Sequence, residues 1–236
     1  MIVLADCRPR TAYEAGHVPG AVHLDPESDL SAPVVDPAVG GRHPLPDPDA
    51  LAAAFGAAGI DATSFVLAYD DGTGWAARCW WLLRHLGHDA CGTFDLRGYV
   101  GPLTADEPTP EPASFAARVR AGDTIAADEI RARLDDPSLV LWDARAAERW
   151  RGDAEPLDPV AGRIPGARNA YFEEPLPAGA TEPPEVVAYC GSGVTACVTV
   201  QQLVAAGRED ARLYPGSFSE WCRNPSNPIE RGDPKT

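Results

Sequence analysis

The sequence predicts an α/β fold built from two copies of one unit, each a parallel sheet flanked by helices on both faces. Short apolar runs rich in β-forming residues recur in the two halves, at 65–69 and 186–189. Each run is followed by a glycine-containing turn and then by a helical pattern. Strands that alternate with helical segments are typical of parallel sheets covered by helices.

The helical patterns have clear ends. The first predicted helix spans 75–86 and stops before Gly87, and the second spans 194–206 and stops before Gly207. Glycine just beyond the last helical residue favours termination, because it adopts the left-handed conformation without strain. Matched segments at corresponding positions therefore have the same local structure.

The repeat extends to other blocks in the same order. Each copy opens with an Asp-x-Arg motif, Asp6 with Arg8 and Asp143 with Arg145. We expect these to be structural pairs, because both copies keep them. A turn with glycine and proline follows in each copy, at 16–21 and 162–167. A chain with two copies of one unit is treated as two domains before any motif is interpreted.

Composition places the boundary between the two predicted domains. Residues 106–112 read Asp-Glu-Pro-Thr-Pro-Glu-Pro, which is too proline-rich and polar for a core element. We therefore predict an N-terminal domain at 1–105, a linker at 106–122 and a C-terminal domain at 123–236. Residues 32–49 contain five prolines and predict a long surface loop of the first domain.

An amphipathic segment at 126–134 has no counterpart in the first copy, which either lacks that helix or begins after it.

Charge and composition exclude several function classes. The chain has 35 acidic and 20 basic side chains, a formal net charge of -15 and a pI of about 4.6. Such a charge repels nucleic acid and anionic membranes, so neither is an expected partner. No apolar stretch approaches the roughly 20 residues that span a bilayer, and no secretory signal opens the chain, which predicts a soluble, cytoplasmic protein. An anionic substrate then needs a local positive site.

The six cysteines predict reduced thiols. They are too sparse for a disulfide framework and form no C-x-x-C pair, so we expect neither a structural zinc site nor any metal. Four are expected to be packing residues, namely Cys7, Cys79, Cys91 and Cys222.

The best candidate nucleophile is Cys190, which directly follows the buried strand at 186–189 and opens the loop Cys-Gly-Ser-Gly-Val-Thr. The carboxyl ends of parallel strands are where open α/β sheets bind ligands. Successive N–H groups of a glycine-containing loop before a helix form a nest of partial positive charge. Such a nest favours a thiolate, which is the nucleophilic form, and would also stabilise an anionic persulfide.

Together these motifs resemble the tandem rhodanese-like sulfurtransferases over nearly the whole chain. The resemblance rests on the turns Gly-His-Val-Pro-Gly-Ala and Gly-Arg-Ile-Pro-Gly-Ala, the loop Cys-Gly-Ser-Gly-Val-Thr-Ala and the closing Leu-Tyr-Pro-Gly-Ser-Phe-Ser-Glu-Trp. In that family the second domain carries the nucleophile and the first is a degenerate copy. Here Asp70 stands where Cys190 does in the second copy.

The resemblance implies a sulfurtransferase that needs no cofactor. A small-molecule donor would leave its sulfur on Cys190 as a persulfide, and a thiol, thioredoxin or cyanide would then accept it. The uncharged loop resembles that of 3-mercaptopyruvate sulfurtransferases, and its substrate-binding residues would be Gly191, Gly193, Val194 and Thr195. Thiosulfate as donor, a persulfide carrier with little small-molecule turnover, and a redox sensor in which Cys197 responds remain alternatives. Ala196 excludes a cysteine phosphatase, which needs arginine at that position.

Two further groups follow from the resemblance. Arg149 matches the family arginine that binds the anionic substrate, as guanidinium can pair two oxygens of a carboxylate. Mercaptopyruvate enzymes often carry a second arginine in the insertion that follows, but residues 155–158 supply none. His43 matches a first-domain histidine proposed to form a proton relay with Ser192 and an acidic residue. That acidic residue falls at Asp25 or Glu27, and the sequence does not choose between them.

Overall fold

The computed structural model describes residues 1–233, which form two compact units. The first unit consists of Met1–Pro33 with Leu45–Arg120. The second unit consists of Val34–Pro44 with the chain from Ala121 onward. The α/β class and the tandem organisation predicted from the sequence are confirmed.

The first unit is a four-stranded sheet with helices, in the strand order β2-β1-β3-β4. All neighbouring strands are parallel. Its strands are β1 (Ile2–Asp6), β2 (Val22–His23), β3 (Phe65–Asp70) and β4 (Cys91–Asp95). Its helices are α1 (Arg10–Ala15), α2 (Pro48–Ala57) and α3 (Trp75–His85), with a short 3₁₀ helix at Leu96–Gly98.

The second unit repeats this plan with the order β6-β5-β7-β8, again entirely parallel. Its strands are β5 (Leu139–Asp143), β6 (Arg168–Asn169), β7 (Glu185–Tyr189) and β8 (Arg212–Leu213). Its helices are α4 (Ala127–Ala132), α5 (Ala147–Arg151), α6 (Ala196–Ala205) and α7 (Ser217–Trp221). None of the helices within residues 1–233 is long and apolar enough to cross a membrane.

Burial of the central strand organises the core of the second unit. The side chains of Val187 and Tyr189 in β7 are fully buried, and they pack with Phe218 and Trp221 of α7 in one apolar cluster. The Tyr189 hydroxyl accepts a hydrogen bond from the backbone N–H of Ile164 at 3.3 Å. The core therefore holds the carboxyl end of β7 in place, and the next residue is Cys190.

The Asp-x-Arg motifs are buried ion pairs. Arg145 donates from Nε to Asp143 Oδ1 at 3.0 Å and from Nη2 to the carbonyl of Gly162 at 2.8 Å. Arg8 makes the same pair with Asp6 in the first unit. These arginines tie the end of the first strand to the turn that follows, which is the structural role expected for a pair present in both copies.

The two units differ from the predicted domain boundaries in two places. Residues 106–120 belong to the first unit, because the Ala113 N–H donates to the Gly56 carbonyl and the Arg118 N–H to the Leu86 carbonyl. Val34–Pro44, predicted as a loop of the first domain, belongs to the second unit. This second difference matters for function, because the segment contains His43.

Candidate active site

Cys190 is the first residue after β7, as predicted, and only 2% of it is exposed. Its backbone N–H donates to Ser217 Oγ at 3.1 Å, and that hydroxyl donates in turn to the Tyr214 carbonyl at 3.0 Å. Ser217 has a φ of 53°, in the left-handed region that non-glycine residues rarely adopt. A strained serine at the start of α7 thus holds the backbone of the cysteine.

The loop after Cys190 curls back on the sulfur. The Gly193 N–H donates to Cys190 Sγ at 3.1 Å. Gly193 has a φ of +81°, and a Cβ at that position would lie 2.3 Å from the Pro215 carbonyl oxygen, so only glycine fits without rearrangement. An N–H aimed at sulfur stabilises negative charge there, whether on a thiolate or on a persulfide.

The carbonyl groups of this loop are hydrogen-bonded as well. The Gly191 carbonyl accepts from the Ser219 N–H at 2.9 Å. The carbonyls of Val194 and Thr195 accept from residues three positions later, at 3.0 and 3.1 Å, as the chain turns into α6. The Gly193 N–H is the donor bonded to the sulfur. Substrate binding by Gly191, Val194 and Thr195 stays a prediction.

His43 and Ser192 are brought together. His43 Nδ1 lies 2.8 Å from Ser192 Oγ, and Ser192 is buried. Both residues lie in the second unit, because the segment Val34–Pro44 is hydrogen-bonded to α7 through Gly40 and Arg42. The contact that the resemblance implied between a histidine and the loop serine is thus present.

Asp25 lies in the first unit, where its side chain closes a turn. Asp25 Oδ1 accepts from the backbone N–H groups of Glu27 and Ser28 at 2.9 and 3.0 Å. The Asp25 N–H donates to Asp29 Oδ2 at 2.8 Å, and burial raises the pKa of Asp29. A part for Asp25 or Glu27 in a relay with His43 stays a prediction.

Arg149 lies on α5 and is held by a carboxylate. Its Nε and Nη2 donate to the two oxygens of Glu155 at 3.2 and 2.7 Å, and its Nη2 lies 3.7 Å from Asp158 Oδ2. Burial opposes ionisation of Glu155, but the bonds from Arg149 and from the Leu157 N–H outweigh it and hold the pKa of that carboxyl below its ordinary value. The ion pair thus orients the guanidinium.

A second guanidinium at the loop, that of Arg42, was not predicted from the sequence. A methyl group built on Gly191 would lie 2.9 Å from Arg42 Nη2 and 3.4 Å from Arg149 Nη2. The two arginines therefore meet beside the residue that follows Cys190. The signal in the sequence was the neighbour of Arg42, His43, because a segment that places one side chain at the loop brings the next one near it.

Comparison with known proteins gives the family. The family profile described as the Rhodanese-like domain matches residues 1–98 and again residues 126–224. The chain belongs to the rhodanese family. It is 44% identical over 247 residues to a Pseudomonas aeruginosa protein named "Probable 3-mercaptopyruvate sulfurtransferase", covering 94% of this chain and 86% of that one.

Other relatives agree. The mouse 3-mercaptopyruvate sulfurtransferase is 33% identical over 258 residues, covering 96% of this chain and 84% of that one. The crystal structure of the Tum1 protein from Saccharomyces cerevisiae matches with a TM-score of 0.78 at 18% identity, covering 98% of this chain and 92% of that one, which shows the shared fold. This rhodanese is a sulfurtransferase.

The other cysteines of this rhodanese are free thiols. Cys7, Cys79 and Cys222 are buried and Cys91 is partly buried, which fits the packing roles predicted for them. Burial raises the pKa of Cys91 to about 12 and that of Cys222 above its ordinary value, so both are protonated at neutral pH. Cys197 is fully buried on α6, and its thiol donates to the Gly193 carbonyl at 3.3 Å.

Proposed function

We propose that the protein transfers sulfur from 3-mercaptopyruvate to a thiol acceptor through a persulfide on Cys190. The observation that carries the proposal is the Gly193 N–H bonded to Cys190 Sγ at 3.1 Å. Negative charge on this sulfur is stabilised best by a hydrogen-bond donor that is already in place before the reaction begins. Such a preorganised donor stabilises the developing charge without a cost of reorganisation. The persulfide anion would be held in the same way.

The first half-reaction starts with attack of the Cys190 thiolate on the donor sulfur. A sulfur–sulfur bond forms as the carbon–sulfur bond of 3-mercaptopyruvate breaks, and its electron pair passes to the enolate of pyruvate. The proton of the donor thiol must leave the sulfur, and one proton must reach the enolate carbon. Pyruvate and the Cys190 persulfide anion are the products.

Ser192 and His43 are proposed to move that proton. An imidazole bonded to a serine hydroxyl can take a proton from one group and return it to another, which is general acid–base catalysis. The 2.8 Å contact between His43 Nδ1 and Ser192 Oγ supports this assignment. Positioned acid–base groups of this kind typically contribute a factor of about 100 or more to a rate.

The second half-reaction returns the thiolate. An acceptor thiolate attacks the outer sulfur of the persulfide, the sulfur–sulfur bond breaks, and its electron pair stays on Cys190. With cyanide the product is thiocyanate. With a dithiol such as thioredoxin, the second thiol then releases sulfide and leaves a disulfide. Thiol acceptors of this type belong to a reducing compartment, and we propose the cytoplasm.

The charge around the loop favours 3-mercaptopyruvate as the sulfur donor. The loop side chains at Gly191, Ser192 and Gly193 carry no charge, whereas Arg149 supplies a guanidinium beside them. A single carboxylate next to a reactive sulfur fits this arrangement better than a dianion whose charge adjoins the sulfur. Thiosulfate is the second candidate, favoured by the excess of cationic side chains at the site.

The test is sulfur transfer to cyanide with both donors, compared as kcat/KM because that ratio reports discrimination between substrates. We expect a large preference for 3-mercaptopyruvate. Cys190→Ser should lose at least about 1,000-fold, as removal of a nucleophile does in other enzymes. Cys91→Ala is the matched control, because it removes a partly buried thiol that is protonated at neutral pH.

Each outcome of that test is informative. Mass spectrometry of the protein after donor alone should show one added sulfur atom on the wild type and none on Cys190→Ser. Full turnover by Cys190→Ser would refute the nucleophile. A preference for thiosulfate would keep the nucleophile and reject the donor. A stable persulfide with no product release would identify a carrier.

A further inference from the structure

Arg42 is a cation of the second unit whose side chain reaches the loop after Cys190. Its Nη2 would lie 2.9 Å from a methyl group built on Gly191, which is closer than either terminal nitrogen of Arg149, at 3.4 and 3.5 Å. The side chains of Arg42 and Arg149 are 23% and 18% exposed, so neither is sealed in the core.

The backbone of Arg42 is fixed on the same unit as the nucleophile. Its N–H donates to Ser219 Oγ at 3.0 Å, and the N–H of Gly40 donates to Glu220 Oε1 at 2.9 Å. A Cβ on Gly41, whose φ is +76°, would lie 2.4 Å from the Gly216 carbonyl oxygen. This close approach of two backbones seats the arginine at a defined position.

Its side chain is held as well. Arg42 Nη1 pairs with Asp158 Oδ1, and the Asp158 side chain is fully buried. Arg223 Nη1 donates to the same Oδ1 at 3.1 Å. A buried carboxylate shared by arginines fixes their geometry, since an unpaired buried charge is strongly unfavourable. Arg42 is therefore organised before any ligand arrives.

The charges of Arg42, Arg149 and their partners favour an anionic ligand. Arg149 uses Nε and Nη2 on Glu155, and Arg42 uses Nη1 on Asp158. Four guanidinium groups and three carboxylates form one ion-pair network with an excess of one positive charge, in a chain of net charge -15: Arg42, Arg145, Arg149 and Arg223 with Asp143, Glu155 and Asp158. A cationic cluster beside the residue that follows the nucleophile, in so acidic a protein, is where an anionic substrate would be held.

We propose that Arg42 is a specificity-determining residue that binds the carboxylate of the sulfur donor together with Arg149. This inference rests on the proposed function and replaces the second arginine that residues 155–158 lack. In 3-mercaptopyruvate only the keto carbon separates the carboxylate from the carbon that carries sulfur. A carboxylate site must therefore lie next to Cys190, and the two guanidinium groups meet at its neighbour, Gly191.

The test compares two donors that differ only in the carboxylate, 3-mercaptopyruvate and 1-mercaptopropan-2-one. Arg42→Gln should lower kcat/KM for 3-mercaptopyruvate about 10- to 100-fold, the usual loss for a hydrogen bond to a charged group. It should leave kcat/KM for the neutral ketone nearly unchanged. Arg42→Lys should be intermediate, because lysine keeps the charge without a planar pair of donors.

Arg223→Gln is the matched control. It removes another arginine from Asp158 but not one of the two guanidinium groups beside Gly191, so it should lower kcat/KM for 3-mercaptopyruvate far less than Arg42→Gln does. A thermal melt of each variant separates unfolding from loss of binding. An equal loss for both donors in Arg42→Gln, or no loss for either, would overturn the proposal.

Failure of the proposed function is distinguishable from failure of this inference. If the wild type prefers thiosulfate, the donor is wrong, and Arg42 is judged by whether Arg42→Gln lowers kcat/KM for thiosulfate. If neither donor turns over, titration of Cys190→Ser with pyruvate decides the matter. Binding of pyruvate that weakens about tenfold or more when Arg42→Gln is added supports the carboxylate site, and equal binding refutes it.

Discussion

His43 Nδ1 lies 2.8 Å from Ser192 Oγ, although 149 positions separate the two residues in the chain. The segment that carries His43 is seated on the second unit through the hydrogen bonds of Gly40 and Arg42. These bonds contribute to placing a histidine that is distant in sequence beside the loop serine. The contact makes the pair a coupled unit whose members are expected to act together.

Removal of either member of this pair should reduce turnover of 3-mercaptopyruvate. Ser192→Ala and His43→Asn are each expected to lower kcat roughly 100-fold, because each breaks the proton path. The double variant should be no worse than the poorer single one, which a double-mutant cycle measures directly. With thiosulfate, which has no thiol proton to move, both variants should keep most of their activity. Additive losses would show that the two side chains act independently.

Gly193 tests how far the sulfur depends on the shape of the loop. Gly193→Ala should lower kcat at least about tenfold, because a Cβ there would meet the Pro215 carbonyl and displace the N–H from Cys190 Sγ. Gly207→Ala is the matched control, with a φ of +92° and nothing within 4 Å of its added Cβ. Gly207→Ala should lose about 1 kcal/mol of unfolding free energy through the left-handed backbone, and Gly193→Ala should lose more because of the added clash. Only Gly193→Ala should lose activity, and equal activities would contradict the role of the loop.

The strands and helices could be predicted from sequence because their signals are local. The predicted strand at 186–189 and the helix end before Gly207 agree closely with the structure. The start of α6 was placed two residues early, at 194 instead of Ala196. Val194 and Thr195 form a turn in which each carbonyl accepts a hydrogen bond from the N–H three residues later. This turn is tighter than an α-helix, precedes α6 and continues its apolar pattern.

The sequence predicts those site residues that lie next to a predicted strand or within a recognisable motif. Cys190 and Ser192 follow directly from the strand and its loop, and motif resemblance added His43. Arg42 has only its neighbour His43 as a signal, because its place at Gly191 depends on the packing of Gly41 against Gly216. Such a contact between distant backbone segments produces no periodic pattern in the sequence.

Ser217 tests whether the strained backbone beside Cys190 contributes to function. Ser217→Ala keeps the left-handed conformation and loses the hydroxyl that accepts the Cys190 N–H, so it should be less stable and less active. Ser217→Gly loses the same hydroxyl but removes the steric penalty, which is about 1 kcal/mol. We therefore expect equal activities in the two variants and higher stability for glycine, measured by urea unfolding and kcat. Equal stabilities would show that the serine backbone is not strained.

Glu155 should contribute to the acid sensitivity of the second unit. Because its folded-state pKa is lowered, its ionised form stabilises the protein fully above the unfolded value of about 4.3, and that stabilisation is lost as pH falls through the lowered folded value. Unfolding free energies should therefore fall less steeply below about pH 4.5 in Glu155→Gln than in the wild type. At pH 7 the same variant should be less stable, since Arg149 loses its charged partner. Glu182→Gln, which changes a carboxylate outside this cluster, serves as the control and should follow the wild-type curve. Parallel curves for Glu155→Gln and the wild type would show that the ion pair does not contribute to the loss of unfolding free energy at acid pH.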